Sequence, residues 1–153
     1  MRLLAVDIGN TNINFGIFKE NRLAGKFKIS TRGYQLKELK KKIGRLKPDE
    51  IIISSVVPRA CDILRRDLKG LFRKTPYVLG KDITAPVKNL YRHPKQVGQD
   101  RLVNAYAGII FYGAPLVVVD FGTAVTFDVI LKNKEYLGEM MLPGLGISLY
   151  GLS

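Results

Sequence analysis

Small polar residues interrupt the apolar N-terminal segment. Residues 3–25 read LLAVDIGNTNINFGIFKENRLAG, and the polar positions after the first apolar run are Asp7, Gly9, Asn10 and Thr11. These residue types weaken strand packing. Glycine lets the backbone approach an anion closely, and the N–H groups of such a turn can hold phosphate oxygens. Asp7 would repel phosphate unless a cation lay between them, so the pattern favours a hydrated Mg²⁺ at Asp7.

A second copy of this pattern lies in the C-terminal part of the chain. Residues 116–138 read LVVVDFGTAVTFDVILKNKEYLG and match residues 3–25 at seven positions without a gap, so that Asp120 lies 113 residues after Asp7. Self-similarity at a fixed offset indicates duplication. One such turn also suits an ordinary hairpin, but two predict related units whose turns clamp nucleotide phosphates. The second turn offers Gly122, Thr123 and Ala124.

Periodicity predicts strands that alternate with helices. Alternating apolar residues mark strands, and apolar residues three and four positions apart mark helices. The predicted order is β-β-β-α-β-α-β, with strands at 2–8, 12–19, 22–30, 50–58 and 76–80 and helices at 34–46 and 59–74. We expect residues 1–115 to form the first domain and residues 116–153 to form the start of a second, incomplete copy.

A long irregular stretch, residues 81–98, precedes the last predicted helix at residues 99–113. Irregular stretches of this length inside a compact domain are usually functional or disordered. Asp100 lies in the first turn of the helix, where an acidic side chain either complements the helix dipole or does chemistry. The helical spacing predicts that the inward residues are Leu102, Val103, Tyr106, Ile109 and Ile110.

Composition describes a basic globular protein. The 153 residues include 25 Lys and Arg against 13 Asp and Glu, a net charge of +12, and 46% are apolar. Such a charge attracts nucleotides, nucleic acids and acidic metabolites alike. Cys61 is the only cysteine, which excludes a disulfide framework and suits a reducing compartment. Because the sequence has neither an apolar run long enough to span a membrane nor an export signal, we expect a cytoplasmic protein without a membrane partner.

The paired turns resemble those of a known superfamily. DIGNT and DFGTA are similar to the phosphate-one and phosphate-two turns of acetate and sugar kinases, heat-shock chaperone ATPases and actin. Five segments also resemble, in order and spacing, the type III pantothenate kinases, a family also labelled Bvg accessory factor: DIGNTNINFGIF, SSVVP, YRHPKQVGQDRLVNA, VVVDFGTAVTFDVI and GEMMLPGLGISLYGLS. This resemblance implies an α/β, actin-like ATPase (ribonuclease H-like) fold, in which the β-β-β-α-β-α-β unit is duplicated and the second copy is truncated.

The resemblance implies a substrate pocket around the last predicted helix. Asp100 matches the general base of the family, which takes the proton from the primary hydroxyl of pantothenate. Gly98 and Arg101, like Asp100, match positions that line the pantothenate pocket, and Tyr91 is expected to pack over the substrate. A guanidinium such as that of Arg101 suits a carboxylate or an amide oxygen.

Nucleotide and metal ligands follow from the same resemblance. ATP would bind as its Mg²⁺ complex, with Asp7 holding Mg²⁺ through water. The family also needs a monovalent cation, K⁺ or NH₄⁺, for which Asp120 and Asp128 are both candidates; we favour Asp128, although an outward polar strand residue is a close alternative. The residues that match the two phosphate motifs are Asp7, Gly9, Asn10, Thr11, Gly122, Thr123 and Ala124.

The chain departs from the family pattern in two respects. Where the family usually has two glycines, this chain has Gly138 and Glu139, and an acid near the phosphates would disturb the local charge unless it points away. The incomplete second copy should lack the adenosine-binding segment and leave apolar side chains exposed. We therefore expect poor ATP affinity, and at least a dimer joined through residues 116–153.

The function implied by the resemblance is ATP-dependent phosphorylation of pantothenate to 4′-phosphopantothenate, the first step of coenzyme A biosynthesis. The sequence leaves undecided whether this chain alone is active. One alternative is a non-catalytic basic binding or regulatory protein of the Bvg accessory factor type. Charge is the only support for nucleic-acid binding, because the sequence has no helix-turn-helix, zinc or RNA-binding signature. A second alternative is another small-alcohol kinase of the same superfamily.

Overall fold

The computed structural model describes residues 1–144, which fall into two compact units. Unit 1 is Met1–Thr84, and the described part of unit 2 is residues 85–144. The sequence repeat predicts a domain boundary between residues 115 and 116. This boundary separates the two copies of the repeated sequence, not the two compact units, and it stays a prediction. None of the helices within residues 1–144 combines the length and apolar character needed to cross a membrane.

Unit 1 is a five-stranded mixed sheet with two helices. Its strands lie in the order β3-β2-β1-β4-β5; the pairs β1–β2 and β2–β3 are antiparallel, and the pairs β1–β4 and β4–β5 are parallel. The predicted β-β-β-α-β-α-β order is confirmed. The elements are β1 (Arg2–Ile8), β2 (Asn12–Lys19), β3 (Arg22–Ser30), α1 (Leu36–Ile43), β4 (Glu50–Ser55), α2 (Pro58–Phe72) and β5 (Tyr77–Val78).

Alternating residues of β1 build the core of unit 1. Leu4, Val6 and Ile8 are at most 3% exposed, and they belong to the same buried cluster as Leu39 of α1 and Leu64 of α2. Burying one such side chain fully contributes about 1.5–3 kcal/mol. The intervening β1 residues are directed away from this cluster, because successive strand side chains point to opposite faces. The core therefore fixes the end of β1, from which the first polar turn begins.

As far as residue 144, unit 2 is a four-stranded sheet with one α-helix. The strand order is β6-β9-β8-β7, in which β7, β8 and β9 form an antiparallel meander and β6 pairs with β9 in parallel. Both copies of the sequence repeat thus form three-stranded meanders. The sequence did not predict β6, which has only two residues. The elements are β6 (Lys88–Asn89), a 3₁₀ turn (Pro94–Gln96), α3 (Gln99–Tyr112), β7 (Leu116–Phe121), β8 (Ala124–Ile130) and β9 (Glu135–Pro143).

Small residues bring α3 close to β7. Ala105 is fully buried, and a Cβ added to Gly108 would lie 2.6 Å from Leu116 Cδ1. The sequence prediction that Tyr106 and Ile110 point inward is wrong, since these side chains are 38% and 61% exposed. Helix α3 contacts the sheet through its small residues, because bulky side chains at those positions would hold the helix away from β7. The other three predicted inward residues are buried or half-buried.

The two hairpins of the repeat differ in length by one residue. Ile8 pairs with Ile13 across the first turn, so four residues lie between them. Phe121 pairs with Val125 across the second turn, so only three residues lie between them. The 113-residue offset therefore relates β1 to β7 but not β2 to β8.

One face of the unit 2 sheet is apolar and exposed. In unit 1, the face of β1 that carries Leu4 and Ile8 is buried beneath helices. The equivalent β7 residues, Val117, Val119 and Phe121, are 54%, 40% and 72% exposed. The exposure of apolar side chains expected for the second copy is thus confirmed for the residues described.

Candidate active site

The first polar turn has a backbone held by hydrogen bonds. The Gly9 N–H donates to the Asn12 carbonyl at 3.0 Å. Thr31, just after β3, donates from Oγ1 to the Gly9 carbonyl at 2.8 Å and from its N–H to the Thr11 carbonyl at 3.0 Å. The side chains of Asn10 and Thr11 remain exposed. The turn therefore offers ligand-accessible polar groups on a fixed backbone, and Thr31 is a support that no sequence motif marked.

Asp7 lies beside this turn at the end of β1. Its side chain is exposed, and Asn14 Nδ2 on the paired strand donates to its Oδ2 at 3.3 Å. Within residues 1–144, no three His, Cys, Asp or Glu side chains are grouped so that they could hold a metal ion. Mg²⁺ usually keeps several waters and binds one or two carboxylates plus substrate phosphates, so the exposed carboxylate of Asp7 beside the first polar turn fits that ion.

The second polar turn is supported by a close backbone contact. The Gly122 N–H donates to the Ala124 carbonyl at 3.0 Å, and the Gly144 N–H donates to the Thr123 carbonyl at 3.1 Å. A Cβ on Gly144 would lie 2.7 Å from the Gly122 carbonyl oxygen and closer still to that of Thr123. Only glycine fits at position 144 without moving the turn. Gly144 lies in a segment that resembles the family. Its support of the second turn depends on its backbone contact with Thr123, which sequence spacing does not show.

Asp100 presents an unused acceptor at the start of α3. Gly98 adopts an extended conformation immediately before the helix, and Asp100 lies in the first helical turn. Asp100 Oδ1 and Gln99 Oε1 are buried side-chain atoms without a hydrogen-bond partner among the described residues. Leaving a buried acceptor unpaired costs free energy, so such atoms in native proteins need an explanation. A substrate hydroxyl would supply the missing donor to Asp100.

Arg101, the next residue, is the centre of a buried polar cluster. Its Nη1 lies 2.9 Å from Asp128 Oδ1 on β8 and 2.9 Å from Glu139 Oε2 on β9. The Tyr136 hydroxyl donates to Asp128 Oδ1 at 2.6 Å and contacts Glu139 Oε2 at 3.1 Å. We call these four side chains the Arg101 cluster. It connects the first turn of α3 to two strands of the sheet.

Burial and charge shape the protonation of this cluster. Burial lowers the pKa of the Arg101 guanidinium, but its hydrogen bond to Asp128 and the charges of Asp128 and Glu139 outweigh burial and raise that pKa above its ordinary value. Burial, reinforced by the hydrogen bond to Asp128 and its charge, raises the pKa of the Tyr136 hydroxyl well above its ordinary value. Arg101 therefore stays charged and Tyr136 stays a neutral donor throughout the physiological pH range.

Glu139 is the acid that the sequence analysis set apart as a departure from the resembled pattern. The structure directs its carboxylate to Arg101 Nη1, so its charge is compensated by a cation. The neighbouring Gly138 is close to Tyr91: a Cβ there would lie 3.2 Å from Tyr91 Cδ2. The Tyr91 N–H is also fixed, since it donates to Asn89 Oδ1 at 2.9 Å. The ring of Tyr91 therefore packs against β9, and its contact with substrate stays a prediction.

The two carboxylates expected to bind a monovalent cation have different environments. Asp128 is fully buried, with Oδ1 bound in the Arg101 cluster and Oδ2 without a partner among the described residues. Asp120 is exposed at the end of β7, opposite Thr126 on β8. Among these two, Asp120 is the one accessible from solvent.

Solved structures with a similar fold come from several enzyme families. The type II variant of the Ppx/GppA phosphatase from Aquifex aeolicus matches with a TM-score of 0.58 at 17% identity, covering 99% of this chain and 55% of that chain. The activator of 2-hydroxyisocaproyl-CoA dehydratase from Clostridium difficile matches with a TM-score of 0.51 at 15% identity, covering 94% of this chain and 46% of that chain. These likenesses show the fold, which is that of the actin-like ATPases.

Sequence comparison is more specific. Residues 3–153 match the type III pantothenate kinase family. The type III pantothenate kinase of Citrifermentans bemidjiense is 41% identical across 98% of this chain and 63% of its own length, and that of Finegoldia magna is 39% identical across 95% of this chain and 60% of its own length. The chain thus spans about three fifths of the length of these relatives. It belongs to the type III pantothenate kinase family.

Proposed function

We propose that the protein phosphorylates pantothenate with ATP to give 4′-phosphopantothenate, the first step of coenzyme A biosynthesis. The observation that carries this proposal is Asp100 Oδ1 at the start of α3, a buried atom that has no hydrogen-bond partner within residues 1–144. It is an acceptor positioned on a rigid helix, at the residue that matches the general base of the family. Because this chain spans about three fifths of its relatives' length, the activity is proposed for a protein of the relatives' length that contains it, which we call the full-length protein.

The chemistry assigned to these residues is an in-line transfer. An Asp100 carboxylate oxygen accepts the proton of the primary hydroxyl of pantothenate while the hydroxyl oxygen attacks the γ-phosphorus of ATP. The bond from the γ-phosphorus to the bridging oxygen breaks, and ADP leaves with that electron pair. Each of the two turns is assigned phosphate oxygens to hold through backbone N–H groups other than those of Gly9 and Gly122, which donate within their own turns. Mg²⁺, bound through water at Asp7, would neutralise phosphate charge.

For the monovalent cation, K⁺ or NH₄⁺, we propose Asp120 in place of the Asp128 favoured by sequence. Asp128 Oδ1 already accepts from Arg101 and Tyr136. A cation there would compete with a buried guanidinium for the same carboxylate, and desolvation makes such a second charge costly. Asp120 is exposed and lies two residues before the Gly122 turn.

We propose further that the protein is a homodimer in the cytoplasm. The exposed apolar face of β7 supports association, since apolar patches of this kind mark interaction surfaces. Among the described residues β7 is an edge strand of its sheet, and such edges favour association of the 153-residue chain taken by itself. The one cysteine, Cys61, is a buried free thiol, which suits a reducing compartment.

Replacing the base tests the function. Asp100→Asn in the full-length protein should lower kcat for ADP release with pantothenate by about 10²- to 10⁴-fold, because that is the usual contribution of general-base catalysis. Asp62→Asn, at an exposed position of α2, is the matched control and should keep the parental rate. An Asp100→Asn variant within a few-fold of the parent, or a parent that releases ADP equally well with unrelated alcohols, would contradict the proposal.

A further inference from the structure

The Arg101 cluster holds more negative than positive charge. Two carboxylates, those of Asp128 and Glu139, lie 2.9 Å from the same nitrogen of one guanidinium. The Tyr136 hydroxyl adds a hydrogen bond but no charge. One negative charge is therefore in excess. Arg101 and Asp128 are only 11% and 1% exposed in their side chains, and Glu139 is 17% exposed, so water screens these charges weakly.

Arg101 nevertheless keeps donors for a ligand. Both ion pairs use Nη1. The hydrogen bonds found within residues 1–144 involve neither Nε nor Nη2 of Arg101. These groups can donate to an oxygen on a ligand, whether or not that oxygen is charged.

A carboxylate and a neutral oxygen would experience this cluster differently. A ligand carboxylate is attracted by Arg101 but repelled by Asp128 and Glu139, and these effects oppose each other at close range. A neutral amide or hydroxyl oxygen still accepts the hydrogen bond and meets no comparable repulsion. Removing Glu139 would leave one carboxylate for one guanidinium and end the negative excess.

We propose that Glu139 is a specificity-determining residue that weakens the preference of this site for a substrate carboxylate. Arg101 then serves the substrate as a hydrogen-bond donor rather than as a charge partner, and a neutral analogue is accepted nearly as well as the anion. This inference rests on the proposed function, in which pantothenate meets Asp100, and on the expectation from the family resemblance that the next residue, Arg101, lines the same pocket.

The test compares an anionic and a neutral substrate. Pantothenate carries a carboxylate, and pantothenol has a neutral hydroxymethyl group in its place while keeping the same reacting hydroxyl. In the full-length protein, Glu139→Gln should raise kcat/KM for pantothenate about tenfold, which corresponds to about 1.4 kcal/mol, and should change it less than about twofold for pantothenol. Glu139→Asp keeps the charge, so the ratio of kcat/KM for pantothenate to kcat/KM for pantothenol should stay at the parental value.

Two further variants separate charge from structure. Glu135→Gln, on the same strand, removes an acid that pairs with Lys88 instead of Arg101, and should leave the ratio unchanged. Glu139→Gly removes the whole side chain with its charge and should act as Glu139→Gln does, even if the glutamine variant folds poorly. Melting temperatures report the structural cost of each change. A loss that is only structural should lower kcat/KM for both substrates by the same factor.

The outcomes distinguish the two levels of inference. A larger preference for pantothenate in Glu139→Gln or Glu139→Gly supports the role of Glu139. An unchanged ratio in folded, active variants overturns it, because Glu139 would then only hold α3 against β9. If the parent phosphorylates neither substrate, the proposed function itself fails, and the inference about Glu139 fails with it.

Discussion

The Tyr136 hydroxyl should contribute measurably to stability. Tyr136 is fully buried, and its hydroxyl donates at 2.6 Å to Asp128, a carboxylate that is also fully buried. Tyr136→Phe removes this donor but keeps the ring. Asp128 Oδ2 already lacks a partner among the described residues, so the variant leaves Arg101 as the only hydrogen-bond donor to that carboxylate.

The expected loss follows from the charge of the acceptor. A hydrogen bond to a charged group contributes about 1.5–3 kcal/mol, so we expect Tyr136→Phe to lower the free energy of unfolding by about 2 kcal/mol. For a chain of this size, that loss lowers Tm by roughly 4–8 °C. Urea titration followed by circular dichroism measures the change as a lower midpoint at an unchanged slope.

A second tyrosine provides the control. Tyr77 is 48% exposed and makes no side-chain hydrogen bond within the described residues. Tyr77→Phe should change the free energy of unfolding by less than about 0.5 kcal/mol, as surface substitutions usually do. If Tyr136→Phe were as stable as Tyr77→Phe, the cluster would not depend on this hydroxyl, and the account of Asp128 given above would be wrong.

Three further predictions concern the turns and the exposed sheet. Gly144→Ala should raise the KM for ATP about tenfold or more, because its Cβ must displace the second turn; Gly33→Ala, whose Cβ would meet nothing within 4 Å, should not. Asp7→Ala should raise the Mg²⁺ concentration needed for activity while changing pantothenate binding in calorimetry less than about twofold; equal losses with a lower Tm would indicate a structural carboxylate instead. Light scattering should give the 17.1 kDa chain a mass of at least a dimer at micromolar concentration, and calorimetry should find weak ATP binding; a compact monomer or tight binding would refute the respective expectation.

Local pattern predicted the first meander to the residue. The bounds of β1, β2 and β3 equal the predicted ranges, because apolar alternation and tight turns both mark their ends. Alternation fails for β6, whose two residues, Lys88 and Asn89, carry no apolar signal. Helical spacing predicts α3 but puts Tyr106 and Ile110 on its inward face, because spacing does not show the close approach to β7 that Gly108 permits.

Contacts between distant residues explain what the sequence could not show about the site. Arg101 and Asp128 are 27 positions apart, and only the sheet brings them together. Sequence alone therefore treated Asp128 as a cation ligand and left Glu139 without a partner. Thr31 and Gly144 support the two turns through similarly distant contacts. The turn residues themselves were found because their signal, a glycine after an acid and a strand, is local.

The shorter second hairpin limits how the two copies can be aligned. Without a gap, Asp128 is matched to Phe15, a core residue that pairs with Val6. Strand pairing instead puts Asp128 opposite Val118, the position that Gly16 has in the first copy. A one-residue gap at the turn is therefore required, and without it every side chain of β8 would be assigned to the wrong face of the sheet. Val129 then has the position of Ile17, and Gly138 faces Val129 as Gly25 faces Ile17. The 113-residue offset therefore holds again between β3 and β9, so that Gly25 and Gly138 are equivalent although Ile17 and Ile130 are not.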